Sequence, residues 1–185
     1  MLKKYLENTI PKLNNQNNIY LEISFGKKYS DRIFDTKIKK DKINKIKQKL
    51  QSILFNKKKT LIKAKIYYNN NLKLFINNLF QPKCFEETVL EHHIFDKKNF
   101  DLNLKVANKK MLSIEHFPNK FSFHNEIFKI IESYNINNKF FLNFVENIEN
   151  SSKYYSLNIL ITKKNSKIND IINLLQKIIK LIENN

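Results

Sequence analysis

Hydrophobic positions along this chain recur with a helical period in some stretches and with a period of two in others. Leu2, Tyr5, Leu6 and Ile10 fall at helical spacing and predict a short helix over 2–9, stopped near Pro11. After the polar loop 14–18, "IYLEISF" (19–25) alternates and is rich in β-formers, which predicts a strand ending at Gly26. Ile38, Ile43, Ile46, Leu50, Ile53 and Leu54 make one apolar stripe, predicting a helix over 38–55 with a lysine-rich outer face. "TLIKAKIYY" (60–68) is a second strand, broken by Asn69–Asn71. Between 72 and 107, three apolar stretches read as strands, with a helix as the alternative for "CFEETVLEHHIF". "NEIFKIIESY" (125–134) reads as a helix, and "KFFLNFVENI" (139–148) and "YYSLNILITKK" (154–164) as strands. "INDIINLLQKIIKLIE" (168–183) is the strongest helical pattern, with Ser166 or Asn169 as N-cap. Neither an internal repeat nor a linker is evident. The mixture predicts one α+β domain spanning 1–185: a mostly antiparallel sheet with helices packed on one face and the other face free. The strand–helix–strand at 19–68 resembles half of a split βαβ unit.

Composition sharpens this picture. A chain of 185 residues with 42% hydrophobic residues can bury a core and is expected to fold as one domain. The net charge of +17, from 34 Lys+Arg against 17 Asp+Glu, calls for a polyanionic partner, either nucleic acid or an anionic membrane surface. No apolar run is long enough to span a membrane. Lys, Asn, Ile and Phe dominate and Arg32 is the sole arginine, the signature of AT-rich codons, so part of the lysine content is drift on solvated faces. The N-terminus lacks the apolar core of a signal peptide and the Arg/Ser richness of a transit peptide, so the chain is expected to work where it is made. A single cysteine, Cys84, excludes an internal disulfide and a multi-cysteine metal site.

Residue patterns that could carry chemistry are few. His92 and His93 are adjacent, beside Glu91, and on a strand would point to opposite faces. Cys84 reads as a small buried hydrophobe, with no local support for a Cys–His nucleophile pair. Glu86 and Glu87 likewise point apart, and Glu146 and Glu149 flank a strand end. A phosphohydrolase built inside a β-tunnel would want acids alternating along one strand face to hold a divalent cation, but two residues after Glu22 stands Ser24. Gly26 is the sole glycine, so no glycine-rich phosphate loop can be written, and there is no GxSxG nucleophile motif. The expectation is a chain with no catalytic set, no metal and no cofactor. Basic charge interleaved with aromatics is the stronger signal. Lys27 and Lys28 follow Gly26, Lys57 to Lys59 fill the turn into the second strand, and Lys63, Lys65 and Tyr67 share one strand face. That pattern suits RNA, with lysines on phosphates and tyrosines and amides on unpaired bases.

The order of these blocks resembles the large-subunit ribosomal protein five family, the 5S-rRNA-binding protein of the central protuberance, in its bacterial and organellar form. "LKKYLENTIPKL" resembles the family's opening helix and "LEISFG" its glycine-ended strand. "NKKKTLIKAK" (56–65) is similar to the family's strand ending in "KAK", with Asn56 at the family's glycine, a suitable substitute where φ is positive. "FLNFVENIE" and "YYSLNILITKKNSKINDIINLLQKI" resemble its closing strands and helix, while 70–137 departs from the pattern. The resemblance implies a structural, non-enzymatic constituent of the large ribosomal subunit. Its implied partners are 5S-type and large-subunit rRNA, peptidyl-site tRNA and neighbouring ribosomal proteins. It also implies an organelle-encoded, mitochondrial location. The RNA-binding residues would be Ser24, Gly26, Lys27, Lys28, Lys57, Lys58, Lys63, Lys65 and Tyr67. Two alternatives stand beside it. One is a metal-dependent β-tunnel phosphohydrolase resembling an RNA triphosphatase. The other is a non-specific single-strand-binding protein of an AT-rich virus or plasmid.

Overall fold

The computed structural model describes residues 1–14, 18–30, 33–69, 71–96, 100–113, 125–136, 140–162 and 168–183. The elements in chain order are α1 (Leu2–Asn14), β1 (Ile19–Lys28), β2 (Phe34–Asp35), α2 (Lys40–Lys49), α3 (Gln51–Leu54) and β3 (Lys59–Asn69). There follow β4 (Leu72–Asn77), β5 (Lys83–Phe95), β6 (Asp101–Leu112), β7 (Asn125–Ile136), β8 (Phe140–Glu149), β9 (Ser152–Ile161) and α4 (Ile168–Glu183).

All strand pairs are antiparallel, in the order β1-β6-β5-β4-β3-β7-β8-β9. The last strand returns to the first, from Leu21 opposite Ile161 to Ser24 opposite Asn158. The sheet is therefore a closed barrel of eight strands, with β2 a short flap on the end of β1. This corrects the expected α+β sheet with helices on one face and a free second face. Closure leaves no free face: one side of every strand lines a lumen and the other forms the outer wall.

Alternation along each strand explains how such a barrel is stable with a polar interior. On β1, Leu21, Ile23 and Phe25 are fully buried toward the outside, while Tyr20, Glu22 and Ser24 point inward. On β6, Leu102, Leu104 and Val106 go out and Asn103, Lys105 and Lys109 go in. The outward apolar rows of β1, β6, β8 and β9 meet Leu6, Ile10 and Leu13 of α1, Ile43 and Ile46 of α2, and Ile172, Leu175, Ile178, Ile179 and Ile182 of α4. The hydrophobic core thus lies between the barrel wall and the helices, and each large-to-alanine change there is expected to destabilise the fold by about 2–5 kcal/mol.

Several elements differ from the sequence expectation. Helix α1 runs through Pro11 to Asn14. The segment 125–134 is a strand, not a helix. Ile127, Phe128, Ile130 and Ile131 mimic a helical stripe, but Ile127 and Ile131 point inward beside Lys129 while Phe128 and Ile130 point outward. Both faces of β7 are partly apolar, which hides its period of two. The stretch around "CFEETVLEHHIF" is also a strand, with a register shift between Val89 and Glu91. The expected cap at Ser166 lies outside the described residues, and Asn169 lies within the first turn of α4.

Three local features have simple chemical reasons. Asn56 adopts φ 59° at the turn into β3, the left-handed region asparagine tolerates. Asn150 (φ 46°) and Ser151 (φ 64°) close the β8–β9 hairpin in a two-residue turn whose centre needs positive φ twice. Gly26 serves another purpose: a Cβ there would lie 2.0 Å from the Asp35 carbonyl oxygen and 2.7 Å from the Phe34 ring, so its missing side chain lets β2 cross over β1.

Candidate functional site

The lumen gathers charge from five strands. Lys105 of β6 places its Nζ 3.0 Å from Glu22 Oε2 on β1 and 3.1 Å from Glu87 Oε1 on β5, one ammonium bridging two carboxylates. Glu87 Oε1 also lies 2.8 Å from Lys73 Nζ of β4, and its second oxygen accepts a hydrogen bond from the Tyr20 hydroxyl. Glu22 Oε1 accepts from Asn158 Nδ2 at 3.2 Å and from Ser24 Oγ at 3.4 Å. Asn158 Oδ1 in turn accepts from Asn143 Nδ2 at 2.9 Å. Lys129 enters from β7 and feels the charges of Glu22, Glu87, Lys73 and Lys105, while Lys109 of β6 sits with its Nζ 3.5 Å from the centre of the Phe85 ring.

Two cavities meet at this cluster. One of about 230 Å³ is lined by Tyr20, Glu22, Lys109, Asn143, Asn158 and Leu160, and one of about 120 Å³ by Glu22, Ser24, Lys129, Asn147, Tyr154 and Ser156. Glu22 and Asn158 line both, so the two are successive sections of one lumen.

The electrostatics follow from crowding like charges in a confined space. Burial would raise the Glu87 carboxyl, but hydrogen bonds from Lys73 and Tyr20 and the charges of Lys105 and Lys73 outweigh it and hold its pKa at about 2. Tyr20 is pushed up by burial and by Glu87, and Tyr68 is pushed up to about 12 by burial and the charges of Glu87 and Tyr154. Lys109 is lowered to about 8, chiefly by burial, with Lys73, Lys83 and Lys105 adding repulsion against the pull of Glu87. Lys129 is lowered for the same principal reason. Lys105 is raised: burial opposes its charge, but its two carboxylate partners prevail. Among the described residues at this cluster, four lysines against two converging glutamates leave this part of the lumen positive, with Lys109 and Lys129 short of counter-charge. Such a site favours a multiply charged anion.

A carboxylate-held divalent cation does not fit the donors present. Among the described residues no group of three His, Cys, Asp or Glu side chains could hold a metal. The position two after Glu22 is Ser24, and the inward residues of β8 facing the cluster are Asn143, Val145 and Asn147.

The residues singled out from sequence are distributed differently. Ser24 lies in the lumen beside Glu22. Gly26 is covered by β2, and Lys27 and Lys28 pair with Asp35 and Phe34 in that flap, the Lys28 amide donating to Asp101 Oδ2 at 2.8 Å. Lys57 and Lys58 occupy the turn before β3. Lys63, Lys65 and Tyr67 do share one face of β3, and it is the outer wall, because Ala64, Ile66 and Tyr68 take the inward positions. Lys65 pairs there with Glu126 at 3.2 Å. His93 stacks on Tyr5 at 5.4 Å beneath α1, as packing. Lys73, Lys105, Lys109, Lys129, Tyr20 and the asparagines of β8 and β9 are absent from the sequence reading, and Glu87 enters it only as a carboxylate pointing away from Glu86. The strand alternation of β6 carried the signal, since Asn103, Lys105 and Lys109 share one parity, but nothing local marks that face as enclosed.

A closed antiparallel barrel whose polar lumen collects lysines and glutamates defines the triphosphatase tunnel fold. The comparisons agree on this fold. The Pct1 RNA triphosphatase of S. pombe matches at a TM-score of 0.71 and 11% identity, over 97% of this chain and 84% of that one. The Mimivirus capping enzyme triphosphatase matches at 0.68 and 10% identity, over 97% and 96%. A second structure of Pct1, in complex with the Spt5 CTD, matches at 0.68 and 11% identity, over 97% and 85%. No protein-family model and no curated protein matches the sequence. At these identities the likeness is one of fold. It overturns the resemblance to the ribosomal family, for these are triphosphatases and none is a ribosomal protein. The non-enzymatic role and the partners drawn from that resemblance (5S-type and large-subunit rRNA, peptidyl-site tRNA, ribosomal neighbours) fall with it. The short blocks matched because β-rich, lysine-rich strands alternate alike in unrelated folds.

Proposed function

We propose that this chain is a tunnel-type triphosphatase that removes the terminal phosphate from a triphosphate-ended RNA. The observation that carries the reading is the convergence of Lys73, Lys105, Lys109 and Lys129 with Glu22 and Glu87 inside a closed barrel. A triphosphate needs distributed positive charge, and phosphoryl transfer is accelerated chiefly by positioning and charge stabilisation. Lys109 and Lys129, the lysines short of counter-charge, take the phosphate oxygens. Lys105 and Lys73 are held in place by Glu87, whose low pKa makes it a fixed anion and a poor proton acceptor. Glu22 orients the attacking water. As the water oxygen bonds to the terminal phosphorus, the bridging P–O bond breaks and its electron pair leaves on the diphosphate. The water's proton passes to Glu22 and on to solvent.

The outer residues belong to the same proposal in a lesser role. Lys27, Lys28, Lys57, Lys58, Lys63, Lys65 and Tyr67 would attract the RNA body by charge and stacking without reading its sequence. The test is release of terminal phosphate from RNA labelled at that position. Wild type is expected to release it, with Glu22→Gln slowed by about 10²-fold or more and Lys63→Ala with Lys65→Ala altering mainly KM. Absence of release by wild type across pH 6–9, with and without added divalent cations, would discard the reading.

A further inference from the structure

We infer that the positive charge a divalent cation would bring to this lumen is carried by the Lys105 ammonium, so that a triphosphate is held here without a metal ion. The inference rests on the triphosphatase reading for its ligand class, and on the lumen's own geometry for its substance.

Three observations carry it. Lys105 Nζ stands 3.0 Å and 3.1 Å from oxygens of Glu22 and Glu87, the position between two carboxylates where a bridging cation would sit. The remaining carboxylate oxygens are already committed: Glu22 Oε1 to Asn158 and Ser24, and Glu87 Oε2 to Tyr20. A dication would have to break these bonds and displace an ammonium whose affinity for its proton is raised by the same pair. Last, the surrounding charge is of the wrong sign for a free dication. Lys73, Lys109 and Lys129 all face the cluster, the neighbouring inward positions on β1 and β8 are the neutral Ser24, Asn143 and Asn147, and the next carboxylate on that row of β8, Glu149, stands at the end of the strand opposite Ser152. Hard dications select sites rich in anionic oxygen. This lumen has spent its two converging carboxylates on lysines, and what it leaves unsatisfied is positive charge.

A tethered ammonium also costs less reorganisation than a recruited ion. Lys105 is already oriented by two partners on different strands, so its charge is in place when the phosphate arrives. The triphosphate then completes its coordination from the lumen side.

The test is equilibrium dialysis of the full chain against labelled inorganic tripolyphosphate in excess EDTA, with Mn²⁺ binding to the ligand-free chain followed separately by electron paramagnetic resonance. We expect saturable tripolyphosphate binding in EDTA, no tightening when Mg²⁺ replaces EDTA, and no saturable Mn²⁺ site. Lys105→Gln should weaken tripolyphosphate binding by roughly thirtyfold, the effect of removing one member of a buried charge pair. Should that variant fail to fold, the Mn²⁺ titration of wild type still decides. Tripolyphosphate retained only in the presence of Mg²⁺, or one Mn²⁺ bound per chain and lost in Glu22→Gln, would overturn the inference. The two readings fail separately. Binding in EDTA with no phosphate release under any condition removes the hydrolase and leaves the metal-free site standing. Release and binding that both require a metal do the reverse.

Discussion

Replacing Glu87 by glutamine probes the centre of the lumen most directly. The carboxylate lies 2.8 Å from Lys73 and 3.1 Å from Lys105 and accepts from Tyr20, and its side chain is only 11% exposed. Its pKa falls from 4.5 to about 2 on folding. A drop of that size corresponds to about 3 kcal/mol of stabilisation. The sign follows from the direction. A carboxyl with a depressed folded pKa binds its proton more readily in the unfolded chain. The stabilisation is therefore fully present above about pH 4.5 and is lost as pH falls from there through about 2. Urea unfolding of wild type and Glu87→Gln at a series of pH values measures it. At pH 7 the variant should be less stable by about 3 kcal/mol, a figure that also reflects two lysines left with a weaker partner. Toward pH 2 the two proteins should converge. A constant gap between them from pH 7 to pH 2 would show that Glu87 acts through packing rather than charge, and the account of the lysine cluster would have to be rebuilt.

Other substitutions test separate parts of the argument. Gly26→Ala should destabilise the fold by about 1–3 kcal/mol in thermal or chemical unfolding, because its Cβ would meet the Asp35 carbonyl at 2.0 Å; unchanged stability would mean that β2 does not lie over β1. With Lys109 near 8, tripolyphosphate affinity should fall as pH rises past that value, since the anion favours the charged amine, and Lys109→Met should flatten this dependence; an identical pH profile in the variant would remove Lys109 from the anion site. Lys63→Ala combined with Lys65→Ala should reduce the salt dependence of RNA binding by a log–log slope of about 1 to 2, and an unchanged slope would take the outer face of β3 out of the interaction.

Much of the local structure was legible because it is local. The period of two in "IYLEISF" and "TLIKAKIYY" marks strands whichever face is wet, and the stripe through 168–183 marks a helix that must be covered. The positive φ at Asn56 was expected only through the glycine of the ribosomal resemblance, and it stands without that resemblance because asparagine tolerates the left-handed region. The segment 125–134 misled because its inward row mixes Ile127 and Ile131 with Lys129, so neither face looked polar. Even the basic alternation of Lys63, Lys65 and Tyr67 was read with the right parity.

Parity, however, says which residues share a face and nothing about what that face encloses. That depends on the pairing of β1 with β9, a contact between opposite ends of the chain that no window of sequence contains. Once those strands join, the face bearing Ala64, Ile66 and Tyr68 becomes interior and the lysines of "IKAK" become exterior. Closure also draws Glu22, Glu87, Lys73, Lys105, Lys109 and Lys129 from five different strands into one lumen. Most of the strands, the terminal helix and the surplus of positive charge were legible in the chain, with β7 the exception. Where that charge points follows from the closure of the barrel, because an enclosed site is made by long-range pairing and not by any residue's own preference.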